Sequence, residues 1–184
     1  MSEDGKFSFH IKNVVKNAYF KLSLIFKVFQ SRKVDLLKKA YVSYVRRSLE
    51  YCSIIWSPYY LQDINLIEKV QKYFTRKLLG KKHSYVERLS LLNLESLEER
   101  RVKIDLIETY KFFSSSQDRN FADYFKLNPN PYQTAHDLFI NFSRTDARKY
   151  WFANRVCPWW NQLPLSVKQS KSVHEFKRVI NKVN

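Results

Sequence analysis

The stretch Ile11 to Phe29 reads IKNVVKNAYFKLSLIFKVF. Ile11, Val14, Val15, Ala18, Leu22, Ile25, Phe26 and Phe29 recur at steps of three and four, which gathers them on one stripe of an α-helix. With each residue advancing about 100° round the axis, Lys12, Lys16 and Lys27 fall within an arc of about 60° on the opposite side. One face of this helix is core and the other is cationic.

The same arrangement returns downstream. Ser31 is placed to cap a second helix through Val34, Leu37, Tyr41, Tyr44, Val45 and Leu49, with Pro58 at or just beyond its end. Ile64, Ile67, Val70, Phe74 and Leu78 predict a third, stopped by Gly80, with Lys69, Lys72 and Arg76 along another face and Lys77 beside them. Two capping boxes, Ser84 with Glu87 and Ser96 with Glu99, predict further helix starts, the second ahead of Val102, Leu106, Ile107 and Tyr110. Polar breaks follow at Ser114–Asp118 and Asn128–Pro131. Leu138 to Phe142 and Tyr150 to Val156 are short, aromatic-rich and partly alternating, which predicts a small two-stranded β element. Ser172 with Glu175 caps a last helix carrying Val173, Phe176, Val179 and Ile180. The fold class is therefore mainly α: a helical bundle over residues 1–116, and a C-terminal extension, 117–184, packed on it.

Composition agrees with a folded chain. Hydrophobic residues make up 45% of 184 and aromatics 16%, enough to bury a core and unlike a disordered tail. Thirty-three Lys and Arg against seventeen Asp and Glu leave +16, spread as +7 over residues 1–50, +3 over 51–116 and +6 over 117–184. Such an excess suits a polyanion, with nucleic acid the leading partner. Cys52 and Cys157, 105 positions apart with no leader ahead of them, fit a reducing compartment, so an intracellular protein of nucleus or cytoplasm is expected rather than a secreted one. The longest apolar run, Leu22 to Phe29, is broken by Ser23 and Lys27 and falls far short of the roughly 20 residues of a spanning helix. No membrane partner is expected.

Little here points to catalysis. His10, His83, His136 and His174 are scattered and neither cysteine has a neighbour at zinc-ligand spacing, so no metal is expected. Gly5 and Gly80 are the only glycines, which leaves no phosphate loop and no call for a nucleotide cofactor or small-molecule substrate. In LEYCSIIWSP, Leu49 to Pro58, Glu50 stands near Cys52 like a base beside a nucleophile. Helix positions two apart do not face each other, so the stretch reads as a joint: Cys52 a small buried hydrophobe, Tyr51 and Trp56 anchors of a helix-to-turn corner. Tyr41, Tyr44, Trp159 and Trp160 lie in apolar contexts and read as core before stacking platforms. A lysine stripe is usually a solvated face, but two stripes on a chain of +16 favour phosphate contacts by Lys12, Lys16, Lys27, Lys69, Lys72, Arg76 and Lys77.

Three blocks carry a family resemblance: LLKKAYVSYVRRSLEYCSIIWSPYYLQDINLIEKVQKYFTRKLLG from Leu36, YVERLSLLNLESLEERRVKIDLIETYKFF from Tyr85, and SRTDARKYWFANRVCPWWNQLPLSVKQSKSVHEFKRVINK from Ser143. With HIKNVVKNAYFKL from His10, they resemble the C-terminal region of non-LTR retrotransposon reverse transcriptases of the jockey and chicken-repeat, LINE-like type. The resemblance covers nearly the whole chain, and its most specific parts are the LEYC block and the NRV and WNQLP blocks in that order. It implies an all-helical thumb that grips a template–primer duplex, followed by a less defined extension. Polymerase chemistry in that family needs paired palm aspartates holding two metal ions, and no two aspartates are adjacent here. FADY, Phe121 to Tyr124, lacks the second aspartate, lies after the thumb-like block, and reads as a loop with a hydrophobic anchor. The expectation is a non-catalytic fragment that binds nucleic acid, partnered by a separate palm if any. Its rivals are a relic with no role and a basic RNA-binding module acting through a protein partner.

Overall fold

Helix α1 spans Ser8–Val28 and buries Ile11, Val15, Ala18, Leu22 and Ile25, the stripe that its three- and four-residue spacing gathers. The computed structural model describes residues 7–31, 33–114, 121–129 and 136–182, save for the side chain of Phe121. Gly5, the run from Ser115 to Asp118 and the Asn130–Pro131 half of the second break lie outside the described residues. The chain is mainly helical. It divides into two compact units, Met1–Arg101 and Val102–Asn184. That division falls inside the helix Leu97–Ser114, whereas the expected boundary lies after residue 116.

In the first unit, α2 (Val34–Ala40), a π-helical segment (Tyr41–Arg46) and α3 (Arg47–Glu50) follow one another without a break. Leu37, Tyr41, Val45 and Leu49 are buried at steps of four. An α-helix of about 3.6 residues per turn drifts by about 40° at each such step, and the wider π turn offsets that drift. Ser31 does not cap this rod. Lys33 holds the N-cap position with no side-chain hydrogen bond, because Ser31 stands too far ahead of the first turn.

Cys52, at φ +52°, breaks the rod from the single turn α4 (Ser53–Trp56). Across this corner the Trp56 indole N–H donates to the Tyr51 carbonyl at 2.8 Å, and the buried Trp56 ring meets the His10 ring at 5.4 Å. The expectation for this stretch needs correcting in two places: Cys52 is exposed, and Tyr51 anchors through its backbone while its ring is 76% exposed. Cys52 falls outside the buried four-residue stripe of Leu37, Tyr41, Val45 and Leu49, at the left-handed residue where the rod gives way to α4.

Helix α5 (Leu61–Leu79) then runs alongside α1 in the same direction. The Ser8 hydroxyl donates to Asp63 at 2.6 Å, the Tyr19 and Tyr73 rings meet edge-on at 5.6 Å, and Phe26 meets Phe74 at 6.1 Å, so partners rise together along both helices. Ile67, Val70 and Phe74 share the core with the α1 stripe. Gly80, at φ +80°, ends α5, its N–H reaching the Arg76 carbonyl at 2.9 Å. The full capping box of Ser84 and Glu87 opens α6 (Tyr85–Leu91). Ser96 and Glu99 exchange the same two bonds, at 3.1 and 3.0 Å, at the start of α7 (Leu97–Ser114).

Polar groups inside this unit are matched. Gln71, fully buried, accepts from the Tyr41 hydroxyl at 2.9 Å and donates to the Tyr85 hydroxyl at 3.0 Å and the Glu95 carbonyl at 2.8 Å. The buried Glu68 carboxylate accepts from the Tyr85 hydroxyl and from the Leu97 N–H at 3.0 Å, which sets a negative charge at the positive end of α7. Burial, then the bond to Glu68, pushes the Tyr85 hydroxyl pKa well above its ordinary value. Arg100 grips Glu50 through two nitrogens, with Arg46 at 3.8 Å from the same carboxylate.

In the second unit, α8 (Phe121–Tyr124) makes a helical turn of FADY where a loop was expected, and the next residue, Phe125, is buried. The expected two-stranded element is replaced. Leu138 makes one antiparallel bridge, to Leu127. The Asn161 side chain takes both backbone groups of Leu138, accepting from its N–H at 2.8 Å and donating to its carbonyl at 2.9 Å, so the bonds a second strand would make are already filled. Residues 146–168 instead form short helical turns: α9 (Asp146–Lys149), α10 (Phe152–Arg155), α11 (Cys157–Asn161) and α12 (Leu165–Lys168). The Ser172 hydroxyl caps α13 (Val173–Ile180) through the Glu175 N–H, while the Glu175 carboxylate reaches the Lys171 N–H. Phe113 stacks on Trp160 at 4.9 Å and Tyr110 on Phe176 at 4.3 Å. Trp160 is core as expected, whereas Trp159, one position before it, is exposed, as is Tyr44 in the first unit where Tyr41 is buried. Lys168, with no exposed side-chain surface, is neutralised by Asp137 at 2.5 Å, and Arg155 holds Asp105 at 2.8 and 3.0 Å.

Three outcomes test this architecture. Cys52→Gly should raise stability by about 0.5–1 kcal/mol and Cys52→Val lower it by at least as much, read by chemical denaturation, since only the second adds a branch at positive φ. Gln71→Leu should cost about 2–3 kcal/mol because Tyr41 loses its buried acceptor. At pH 8 the exposed Cys52 should react with a thiol reagent in the folded protein, while Cys157, buried and with its thiol pushed up to about 11, should react only on unfolding.

Candidate functional site

The parallel pairing of α1 and α5 decides where the cations go. With about 100° per residue, Lys12, Lys16 and Lys27 lie about 20° to 80° round α1 from Tyr19, away from the buried stripe. On α5, Lys69 and Arg76 lie about 40° and 60° from Tyr73, again on the solvent side. Tyr19 and Tyr73 face each other, so the two sets line the outer rims of one groove. At the offset of 55 residues between Ser8 and Asp63, Lys16 stands level with Gln71, less than a turn from Lys69. Lys12, Lys16, Lys27, Lys69, Arg76 and Lys77 are all exposed.

Lys72 parts from them. It is half-buried, and its Nζ sits 5.2 Å from the centre of the Tyr85 ring on the α6 side of α5. The cause is tertiary: Tyr85 is drawn over α5 by its bonds to Glu68 and Gln71, and its ring then offers a face to the nearest ammonium. Six of the seven expected residues therefore gather along the groove and Lys72 does not.

Lys81, which the helical periodicity does not reach, joins the far end of the groove. It lines a cavity of about 300 Å³ with Tyr73, Arg76 and Lys77. Lys77 Nζ lies 5.9 Å from the Tyr73 ring centre. Burial raises the Tyr19 pKa, with the neighbouring Tyr73 adding to this, while the nearby Arg76 charge pulls against it. The only signal for Lys81 in the sequence is its place just after the helix-ending Gly80, which turns the chain at φ +80° and ψ −167°.

None of these groove cations is in an ion pair among the described residues. Elsewhere in the same unit Arg46 and Arg100 are tied to carboxylates. A row of unneutralised charges on two packed helices repels itself, and a polyanion laid along it relieves that repulsion. Lys12 to Lys27 spans about 22 Å at a rise of about 1.5 Å per residue. One strand of a duplex carries about six phosphates over that length, at about 3.4 Å of axis each.

Beside the lysines, Phe20, Leu24 and Val28 form an exposed apolar row on the outer face of α1. Glu50 and Cys52 do not form a catalytic pair, since Glu50 is held by Arg100 and the thiol stands beyond the corner. Among the described residues no three His, Cys, Asp or Glu side chains gather as a metal site would require, and no helix is long and apolar enough to cross a membrane. No protein-family model matches this chain, and neither a curated protein nor a solved structure matches it.

Proposed function

We propose that this chain is the thumb and post-thumb region of a non-LTR retrotransposon reverse transcriptase, and that it holds the sugar-phosphate backbone of a template–primer duplex without transferring nucleotides itself. The observation that carries this reading is the groove between α1 and α5, rimmed by Lys12, Lys16, Lys27, Lys69, Arg76 and Lys77 with no carboxylate paired to any of them among the described residues. Contacts of this kind position a duplex without reading its bases, which suits a grip that must slide. The reading is also supported by the blocks around Leu49–Cys52 and Asn154–Pro164, and the lack of adjacent aspartates leaves the chemistry to a palm outside these 184 residues. The apolar row Phe20, Leu24 and Val28 is the surface offered to such a partner.

Duplex affinity should fall with salt at a log–log slope of about −4 to −6, as expected for five or six phosphates neutralised. Lys16→Glu with Lys69→Glu should flatten that slope by about two, whereas Lys72→Gln should leave it within error. A slope near zero would remove the binding claim. Primer extension by this chain with magnesium should stay at background, and steady nucleotide incorporation would refute the assignment of chemistry to residues outside this segment.

A further inference from the structure

The cavity at the end of α5 differs from the rest of the groove. Its lining residues, Tyr73, Arg76, Lys77 and Lys81, include three cations and no acid, and none of the three is ion-paired among the described residues. Arg76 and Lys77 stand in the last turn of α5, where cations complement the negative end of the helix dipole. Lys81 has no such reason to be there, lying past the helix and brought to the cavity by the left-handed turn at Gly80. An ideal Cβ on Gly80 would meet nothing within 4 Å, so the glycine serves the turn and not a close approach. Tyr73 supplies a floor that is both apolar and polar, its ring between Lys77 and Tyr19.

We propose that this pocket binds a phosphate monoester dianion. Three positive charges around one small cavity match a group carrying about −1.5 to −2 at pH 7 better than the single charge of an internal phosphodiester. A cavity of about 300 Å³ has room for a phosphate with part of its nucleotide. The group comes from the phosphorylated end of a nucleic-acid strand or from a free phosphate. The first source rests on the duplex reading above, and the chemistry of the pocket does not.

The test compares fluorescence anisotropy for a blunt duplex with 5′-phosphates and the same duplex with 5′-hydroxyls. Alongside it, amide shifts of residues 76–81 are followed while inorganic phosphate or adenosine 5′-monophosphate replaces chloride at constant ionic strength. The phosphorylated duplex should bind about five- to tenfold tighter, as befits one or two added charge-assisted contacts. Lys81→Gln, which removes a charge, and Gly80→Ala, which keeps every charge and disfavours the turn, should both abolish the advantage. Gly80→Ala should leave the salt slope of the hydroxyl-ended duplex unchanged, whereas Lys81→Gln, at the far end of the groove, should flatten it by at most about one. Saturable shifts with phosphate or the monophosphate, without any preference between duplexes, assign the site to the free ligand. Equal duplex affinities with no saturable shift overturn the proposal, as does an advantage that survives Lys81→Gln. Saturable phosphate binding with no duplex affinity of either kind would sink the reading of the preceding section and leave this one standing.

Discussion

The first unit depends on one constraint: α5 must return to the end of that unit where α1 began and run beside it in the same direction. Parallel neighbours cannot be joined by a tight turn, so the chain between them has to travel back the length of α1. The rod from Val34 to Glu50 makes that journey, and the corner at Cys52 sends the chain forward again. Trp56 closes the corner against His10 near the start of α1. The stretch Leu49 to Pro58, with its carboxylate, thiol and aromatics, is thus a hinge point of the fold. Its Glu50 serves α7 through Arg100 and its tryptophan serves α1.

From that pairing the electrostatics follow. Once Tyr19 and Tyr73 face each other, the lysines on each helix that lie just outside the tyrosines are carried to one groove. The fold sorts its cations into two populations. Arg46, Arg100, Arg155 and Lys168 are spent on buried or half-buried carboxylates, where removing one partner would strand the other in a poor solvent for charge. The groove cations have no such duty, and their charge faces water and whatever anion approaches. A net charge of +16 does not distinguish these roles. Burial and partners do.

The interior of the first unit shows why its helices meet at a defined register. Gln71 and Glu68 sit on α5 one turn apart and between them bind Tyr41, Tyr85, Glu95 and the first N–H of α7. Each of these bonds is made in a site poor in water, where an unmatched partner costs more than the bond is worth in solvent. Sliding α6 or α7 along α5 by one turn would break several at once. The same network draws the Tyr85 ring over Lys72 and takes that lysine from the groove.

What could be read from residues alone was whatever periodicity and local hydrogen bonding dictate. The stripe of α1, the stop at Gly80, and the starts at Ser84, Ser96 and Ser172 are decided within a few neighbours, and each stands where spacing put it. The π turn at Tyr41–Arg46 was latent in the four-residue spacing of Leu37, Tyr41, Val45 and Leu49, but only packing on both sides makes the wider turn favourable. Misreadings cluster where a distant group intervenes. Asn161 fills the backbone of Leu138 and removes the reason for a second strand, while the exposure of Cys52 is a local exception set by its own left-handed backbone. Membership of the groove divides the same way: a helical wheel puts Lys69, Lys72 and Arg76 on one flank of α5, and it takes Tyr85 on one side and Tyr19 on the other to separate them. Lys81 belongs to no wheel at all, because its place follows from the turn at Gly80 and from where the end of α5 lies beside α1.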